Sequence, residues 1–250
     1  MKADFNHAKI NFDDGLLEIT FHTDAGPLLW SGAVHDELAE LFGEISRNPD
    51  VRVVIMTGTG DTFSGPPAED FKFPVLNPEQ WEGIRWHGEQ LVMNLLNIQA
   101  PVIACINGPA LRHPEIPLFA DIVLAADDSG VQDAGHFIVN AVPGDGMHIV
   151  FPALLGINRA RYFLMTGQTL NAQECRDLGL VNEILPREEL LPRARELAAG
   201  LLTKNPLMLR YTRNLLVHPI KAAVHELLGY GLALEGLAVV DQGQKLKQTG

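Results

Sequence analysis

Ala100-Pro101-Val102-Ile103-Ala104-Cys105-Ile106-Asn107-Gly108 and, shortly after it, Ala120-Asp121-Ile122-Val123-Leu124-Ala125-Ala126 each carry an uninterrupted apolar run closed by turn formers. A strand with one wet face alternates apolar and polar residues; these two do not, so both of their faces must be covered. That pattern belongs to a sheet flanked by helices. Upstream, Val51-Arg52-Val53-Val54-Ile55-Met56 closes on Thr57-Gly58-Thr59-Gly60 and reads as a third buried strand. Leu16 to Phe21 follows the Asp13-Asp14-Gly15 turn and predicts a hairpin. Between the strands lie helical faces: Val34, Leu38, Leu41, Phe42 and Ile45 with Ser31 as N-cap, then Trp81, Ile84, Leu91, Val92, Leu95 and Leu96 after Pro78. After Asp133 the pattern turns helical, with a turn at Pro143-Gly144-Asp145-Gly146, and from Arg187 to about Val240 it is nearly all helix, with breaks expected near Pro206 and Pro219. The reading is α/β, with a strand-rich core over 1–190 and a helical segment over 191–250. No flexible linker separates them, so the segment should pack on the core or on a neighbouring subunit.

Composition narrows the function. With 250 residues and 46% apolar content the chain can bury a sizeable core. Its net charge of −12 opposes a phosphate-binding surface, so no nucleic-acid partner is expected. Two cysteines, Cys105 and Cys175, suit neither a disulfide framework nor a zinc site, and Cys105 reads as an inert core thiol. Met1 to Asn11 shows no charged-then-apolar leader and no apolar run reaches the roughly 18 residues of a membrane span. A soluble, cytoplasmic enzyme or scaffold is the expectation.

Familiar catalytic signatures are missing: no G-x-S-x-G elbow, no phosphate loop, no H-E-x-x-H helix. Without a serine or cysteine nucleophile, water is left as the attacking group for a hydrolysis. Three polar residues stand where a core would choose something small or apolar. His113 precedes Pro114, which fits the first turn of a short helix, so His113 would sit at that helix's positive end. His136 is expected at the end of a short strand, and Asp145 lies between two glycines at a helix start. A His and an Asp flanking one glycine-rich turn fit a base with its orienting carboxylate. Each also has a plain reading, Asp145 as an N-cap and His136 as a hydrogen-bonded histidine.

The segments Ala100–Gly108, Ala120–Ala126 and Val142-Pro143-Gly144-Asp145-Gly146 resemble the crotonase (enoyl-CoA hydratase/isomerase) superfamily, and the likeness extends over nearly the whole chain. The resemblance implies a spiral of ββα repeats, with C-terminal helices mediating trimers or hexamers built from trimer pairs. Members acting on coenzyme A usually carry a glycine cluster whose N–H groups hold the thioester oxyanion; here that stretch reads Leu111-Arg112-His113-Pro114. His136 stands where hydratases place one catalytic glutamate, and Glu115 at the position of the other. The loop that lies against coenzyme A is replaced by Phe63-Ser64-Gly65-Pro66-Pro67-Ala68-Glu69-Asp70.

These departures are similar to the 6-oxocamphor hydrolase branch of β-diketone hydrolases, through His113-Pro114-Glu115-Ile116-Pro117, His136 and Pro143-Gly144-Asp145-Gly146. Leu29-Trp30-Ser31 and Gly231-Leu232-Ala233-Leu234-Glu235 extend the match. That resemblance implies water-driven cleavage of a carbon–carbon bond in a cyclic β-diketone, with no cofactor and no metal. His136, oriented by Asp145, would be the base and His113 the oxyanion donor. Trp30 and Glu235 are candidate substrate-binding residues, though Trp30 also suits a staple on the following helix and Glu235 a structural pair. Glu115 reads as a remnant hydratase acid or a capping carboxylate. Phe73, Trp81, Trp86, Phe137 and Phe151 are expected to shape an apolar pocket, His148 to be packed, and His7, His22, His35, His87, His218 and His225 to lie outside the site. The competing expectation is a coenzyme-A hydratase or acyl-CoA hydrolase.

Overall fold

The computed structural model describes residues 5–70 and 75–249. Strands β1 (Ala8–Asp13) and β2 (Leu16–Phe21) form the predicted hairpin, with Ala8 opposite Phe21 and Asp13 opposite Leu16. Beyond them run β3 (Leu28–Leu29), α1 (Gly32–Arg47), β4 (Val53–Gly58), β5 (Ser64–Gly65), α2 (Pro78–Asn97), β6 (Val102–Ile106), α3 (Glu115–Leu118), β7 (Ile122–Ala126) and β8 (Gly130–Val131). The remainder is α4 (Met147–Leu155), α5 (Ile157–Thr166), β9 (Leu170–Asn171), α6 (Ala172–Asp177), β10 (Glu183–Leu185), α7 (Arg187–Leu202) and α8 (Pro206–Thr249).

The main sheet has the order β1-β2-β4-β6-β7-β10, and every pairing after the hairpin is parallel. A second, narrower ladder climbs beside it: Leu28 pairs with Ser64, Ser64 with Ala110, and Ala110 with Val131, all parallel. Each turn of chain thus lays one strand in the main sheet, one short strand or bridge in the ladder, and one helix outside. This is the crotonase spiral that the resemblance implies.

The two unbroken apolar runs are explained by what covers them. Alternate residues Val53, Ile55, Ile103, Cys105, Leu124 and Ala126 pack under Leu190, Ala194 and Ala198 of α7. The intervening Val54, Met56, Val102, Ala104 and Ile106 face the larger core shared with α1 and α2. Cys105 is fully buried there and burial pushes its thiol up to about 12, so it is the inert core group expected. Helix α1 begins where predicted, Ser31 Oγ accepting from the Val34 N–H at 3.3 Å. Asn77 and Gln80 close a reciprocal capping box on α2.

Four expectations are corrected. Asp145 is not the cap of α4; Gly146 takes that position at φ 125°, a conformation that suits glycine. His136 follows β8 by a turn rather than ending a strand, and introduces a single 3-10 turn at Phe137–Val139. Pro219 lies inside α8 without ending it, since the buried residues Val217 and Val224 on either side hold the helix to the core. α8 also overturns the expectation that no segment reaches the length of a membrane span. An 18-residue window within Pro206–Lys245 averages a hydropathy of 1.4, long and apolar enough to cross a bilayer by length and composition alone. In this fold it packs along α2 and α4 instead.

Candidate active site

His113 is placed by the strand-to-helix connection after β6. Asn107 ties that connection down, accepting the Gly58 N–H at 2.9 Å and donating to the Gly60 carbonyl at 2.9 Å. The Leu111 N–H donates to the Ser64 carbonyl, Ser64 Oγ to the Arg112 carbonyl at 2.6 Å, and Arg112 Nε to the Pro66 carbonyl at 2.9 Å. His113 is then held at φ 49°, the left-handed region that a histidine enters only at a cost of order 1–3 kcal/mol. Part of the backbone here has no N–H to offer a ligand. The Leu111 N–H is used in the ladder, while Pro66, Pro67 and Pro114 have none.

The side chains converge. His113 Nδ1 lies 2.7 Å from Glu115 Oε1 and 3.1 Å from Asp145 Oδ2. His136 Nδ1–H donates to Asp133 Oδ1 at 2.7 Å, and Asp133 Oδ1 also accepts the Gly135 N–H at 3.3 Å. On the other side of the ring, His136 Nε2 lies 3.4 Å from Asp145 Oδ2 and 3.5 Å from Glu235 Oε1. Asp145 therefore bridges the two imidazoles. The bond expected from Asp145 to the orienting nitrogen of His136 is made by Asp133, three residues back in the same turn. Trp30 stacks on His113 with ring centroids 3.9 Å apart, and its indole N–H is buried with no protein acceptor among the described residues.

Glycines allow this convergence. Gly144 and Gly231 bring the Asp145 loop and α8 into backbone contact, and a Cβ on either would overlap the other's carbonyl oxygen. That approach sets Glu235, one turn beyond Gly231, over the Asp145–His136 pair.

Burial alone would lower the His136 pKa, yet Asp133, Asp145 and Glu235 together hold it well above the ordinary histidine value. His113 follows the same balance: burial lowers it, while Glu115 and Asp145 raise it to about 10. Burial would raise Asp145, but the two imidazoles hold it well below the usual carboxylate range. Burial and the Asp145 charge push Glu115 up to about 7, and burial foremost raises Glu235. His35 is pulled down to about 3 by burial and by the neighbouring His113. It is therefore neutral beside a charged ring, packing edge-on against His113 at 4.6 Å.

All five residues singled out from the sequence, Trp30, His113, His136, Asp145 and Glu235, line one cavity of about 280 Å³. Its apolar wall comes from Leu76, Trp81, Ile84, Leu232 and Val239. The expected aromatic lining is corrected except at Trp81. Trp86 and Phe137 are about half exposed, on the outer side of α2 and on the surface 3-10 turn, and Phe151 is a core residue stacked on Phe163. Phe73 lies outside the described residues. His35, expected outside the site, lines the cavity; its helix period alone gives no sign of the ring stack. His148 is packed as predicted, its ring nitrogens 3.0 and 3.2 Å from the Pro143 and Leu227 carbonyls. His113, Glu115 and Asp145 also place three metal-type ligand atoms within 4.8 Å of one another. The same contacts that gather these atoms, Glu115 and Asp145 against the His113 ring, also make them an ion-paired cluster.

Comparison with known proteins places the fold in a family. Residues 11–231 match the enoyl-CoA hydratase/isomerase family. The chain belongs to that family. Among curated relatives, it is 28% identical to hydroxycinnamoyl-CoA hydratase-lyase of Pseudomonas fluorescens, over 82% of this chain and 76% of that one. It is 26% identical to crotonyl-CoA hydratase of Syntrophomonas wolfei, over 85% and 82%. Among solved structures, it is similar to ABDH, a beta-diketone hydrolase from the cyanobacterium Anabaena sp. PCC 7120, bound to (S)-3-oxocyclohexyl acetic acid. That match has 42% identity and a TM-score of 0.91, and covers 95% of this chain and 96% of that one. Within the enoyl-CoA hydratase/isomerase family, then, this chain combines the common spiral with a histidine- and carboxylate-lined cavity.

Proposed function

We propose that the chain is a hydrolase that cleaves a carbon–carbon bond of a cyclic β-diketone by a retro-Claisen reaction. The observation carrying this reading is the Asp145-bridged pair of imidazoles facing an apolar cavity. The 42% identity to a beta-diketone hydrolase supports it. So does that protein's ligand, a keto acid, because adding one water across the bond from one ring carbonyl carbon to the carbon between the two carbonyls of a bicyclic β-diketone yields a keto acid.

His136 takes a proton from water, and the hydroxide oxygen bonds to one carbonyl carbon. His113, its Nδ1 held by carboxylates, offers its remaining N–H to the oxygen as it gains charge. The tetrahedral carbon then regains its carbonyl as the bond to the carbon between the carbonyls breaks. That electron pair becomes an enolate, with the Trp30 N–H beside its oxygen, and the proton held by His136 returns to carbon. The product is one carboxylic acid and one ketone, equal to substrate plus water. A well-placed oxyanion donor contributes about 2.7–4 kcal/mol and a general base roughly 10²–10⁴ in rate.

Exposed apolar residues on α8 and α5 support assembly as a homotrimer or a hexamer of paired trimers. The test is turnover of a symmetric bicyclic β-diketone beside crotonyl-CoA. The expected result is diketone cleavage in the native protein, falling at least 10²-fold in His136→Ala and Asp145→Asn. Hydration of crotonyl-CoA without diketone cleavage would overturn the reading and favour a coenzyme-A enzyme, the class of the curated relatives.

A further inference from the structure

We propose that Asp133 is the positioning residue that fixes the proton-accepting nitrogen of His136, leaving Asp145 on the reacting side of the ring. This deepens the proposed diketone hydrolysis, since it rests on His136 acting as the base. Asp133 is 1% exposed and sits in the turn that leaves β8. Its Oδ1 takes two donors at once, the His136 Nδ1–H at 2.7 Å and the Gly135 N–H at 3.3 Å. The backbone donor pins the carboxylate, and the pinned carboxylate fixes the ring.

The consequence is a tautomer. With Nδ1 committed to Asp133, the neutral ring keeps its proton there and presents its lone pair at Nε2. Nε2 is the atom that faces Asp145 Oδ2 and Glu235 Oε1 across the cavity. From that side Asp145 cannot set the tautomer, because a carboxylate next to Nε2 favours a proton on the nitrogen that must be bare. Asp145 instead touches both imidazoles and so ties the base to the oxyanion donor. The charged groups facing His136 are Asp133, Asp145 and Glu235. His113 and Glu115 stand behind Asp145, and the buried Arg112 guanidinium interacts with the Asp133 and Asp145 charges.

Asp133→Asn separates positioning from mere structure, because its amide oxygen can still accept both N–H groups while the charge is gone. The expected result is a fall of at least about tenfold in kcat on the alkaline plateau with KM little changed, and an acid limb of the kcat profile displaced to lower pH. If Asp133 were only a structural acceptor, rate and limb would stay at native values, and that outcome overturns the inference.

A readout independent of turnover is the nitrogen-15 NMR of the His136 ring in native protein at alkaline pH. The inference requires the neutral ring to carry its proton on Nδ1; a proton on Nε2 contradicts it, whether or not Asp133→Asn folds. The Nδ1–H signal should shift in Asp133→Asn and persist in Asp145→Asn; the reverse pattern overturns the assignment. Should the native protein cleave no diketone while the ring signals behave as stated, the positioning role stands and the substrate reading falls.

Discussion

Two histidines that would ordinarily be mostly neutral near pH 7 are held charged by buried carboxylates, and that arrangement shapes both rate and stability. A base whose pKa is raised is competent only above that pKa, so diketone cleavage should climb on the alkaline side, its acid limb lying well above 6.5. Stability should run the other way. A group with a raised folded pKa stabilises the fold fully below its unfolded value and loses that contribution as pH rises through the folded value. For His113 that window runs from about 6.5 to about 10. Thermal midpoints should therefore drop between neutrality and pH 10, and drop less in His113→Gln, which keeps the side-chain length but cannot titrate; equal slopes in the two proteins would contradict the ion pairing.

At this scale the sequence is partly legible. His113, His136 and Asp145 stand out because each is a polar residue flanked by turn formers. The bond from Asp133 does not, because a contact between residues three apart in a turn depends on backbone angles that no periodicity reports. His35 hides for a related reason: on α1 it looks solvent-facing until the cavity wall from other elements is in place.

Elements hold these groups by close backbone approach. The loop bearing Asp145 rests on α8 through Gly144 and Gly231, each leaving no room for a Cβ. Gly231→Ala should push the loop from the helix, separating Glu235 and Asp145 from His136. A destabilisation of order 1–3 kcal/mol in denaturant unfolding is expected, together with a larger loss of kcat than of stability would explain. Native-like turnover in that variant would show that the loop and α8 are not coupled. Strands are the most readable elements, since an unbroken apolar run admits few readings once its length is that of a strand. Pro219 misleads because the missing N–H costs one helical hydrogen bond, while packing of Val217 and Val224 on either side holds α8 continuous.

For the whole molecule, α8 presents two faces. Leu232, Glu235 and Val239 point to the cavity, whereas Tyr230, Leu234 and Leu237 face outward. Leu215 and Leu216, over 70% exposed, continue the outer stripe, and Ile157 and Met165 of α5 add to the exposed apolar surface. Covering apolar surface contributes about 25 cal/mol for each Å² removed from water, so the proposed trimer would gain stability by burying these residues. Sedimentation should give a mass three or six times that of one chain, and Leu216→Arg with Leu237→Arg should lower it; a native monomer would contradict the assembly. The spiral is legible from strand pattern and resemblance together, while the alternation of inner and outer faces on α8 is masked by its uniform apolarity.

The most direct measurement of the central claim is cleavage of a symmetric bicyclic β-diketone in heavy-oxygen water, followed by mass analysis of the product. Water activated by His136 should place one heavy oxygen in the new carboxylate from the attack itself, in step with turnover, and His136→Ala should lose both the acid and the label together. An intact diketone after prolonged incubation with native protein, or a product whose formation is indifferent to His136, would contradict the account.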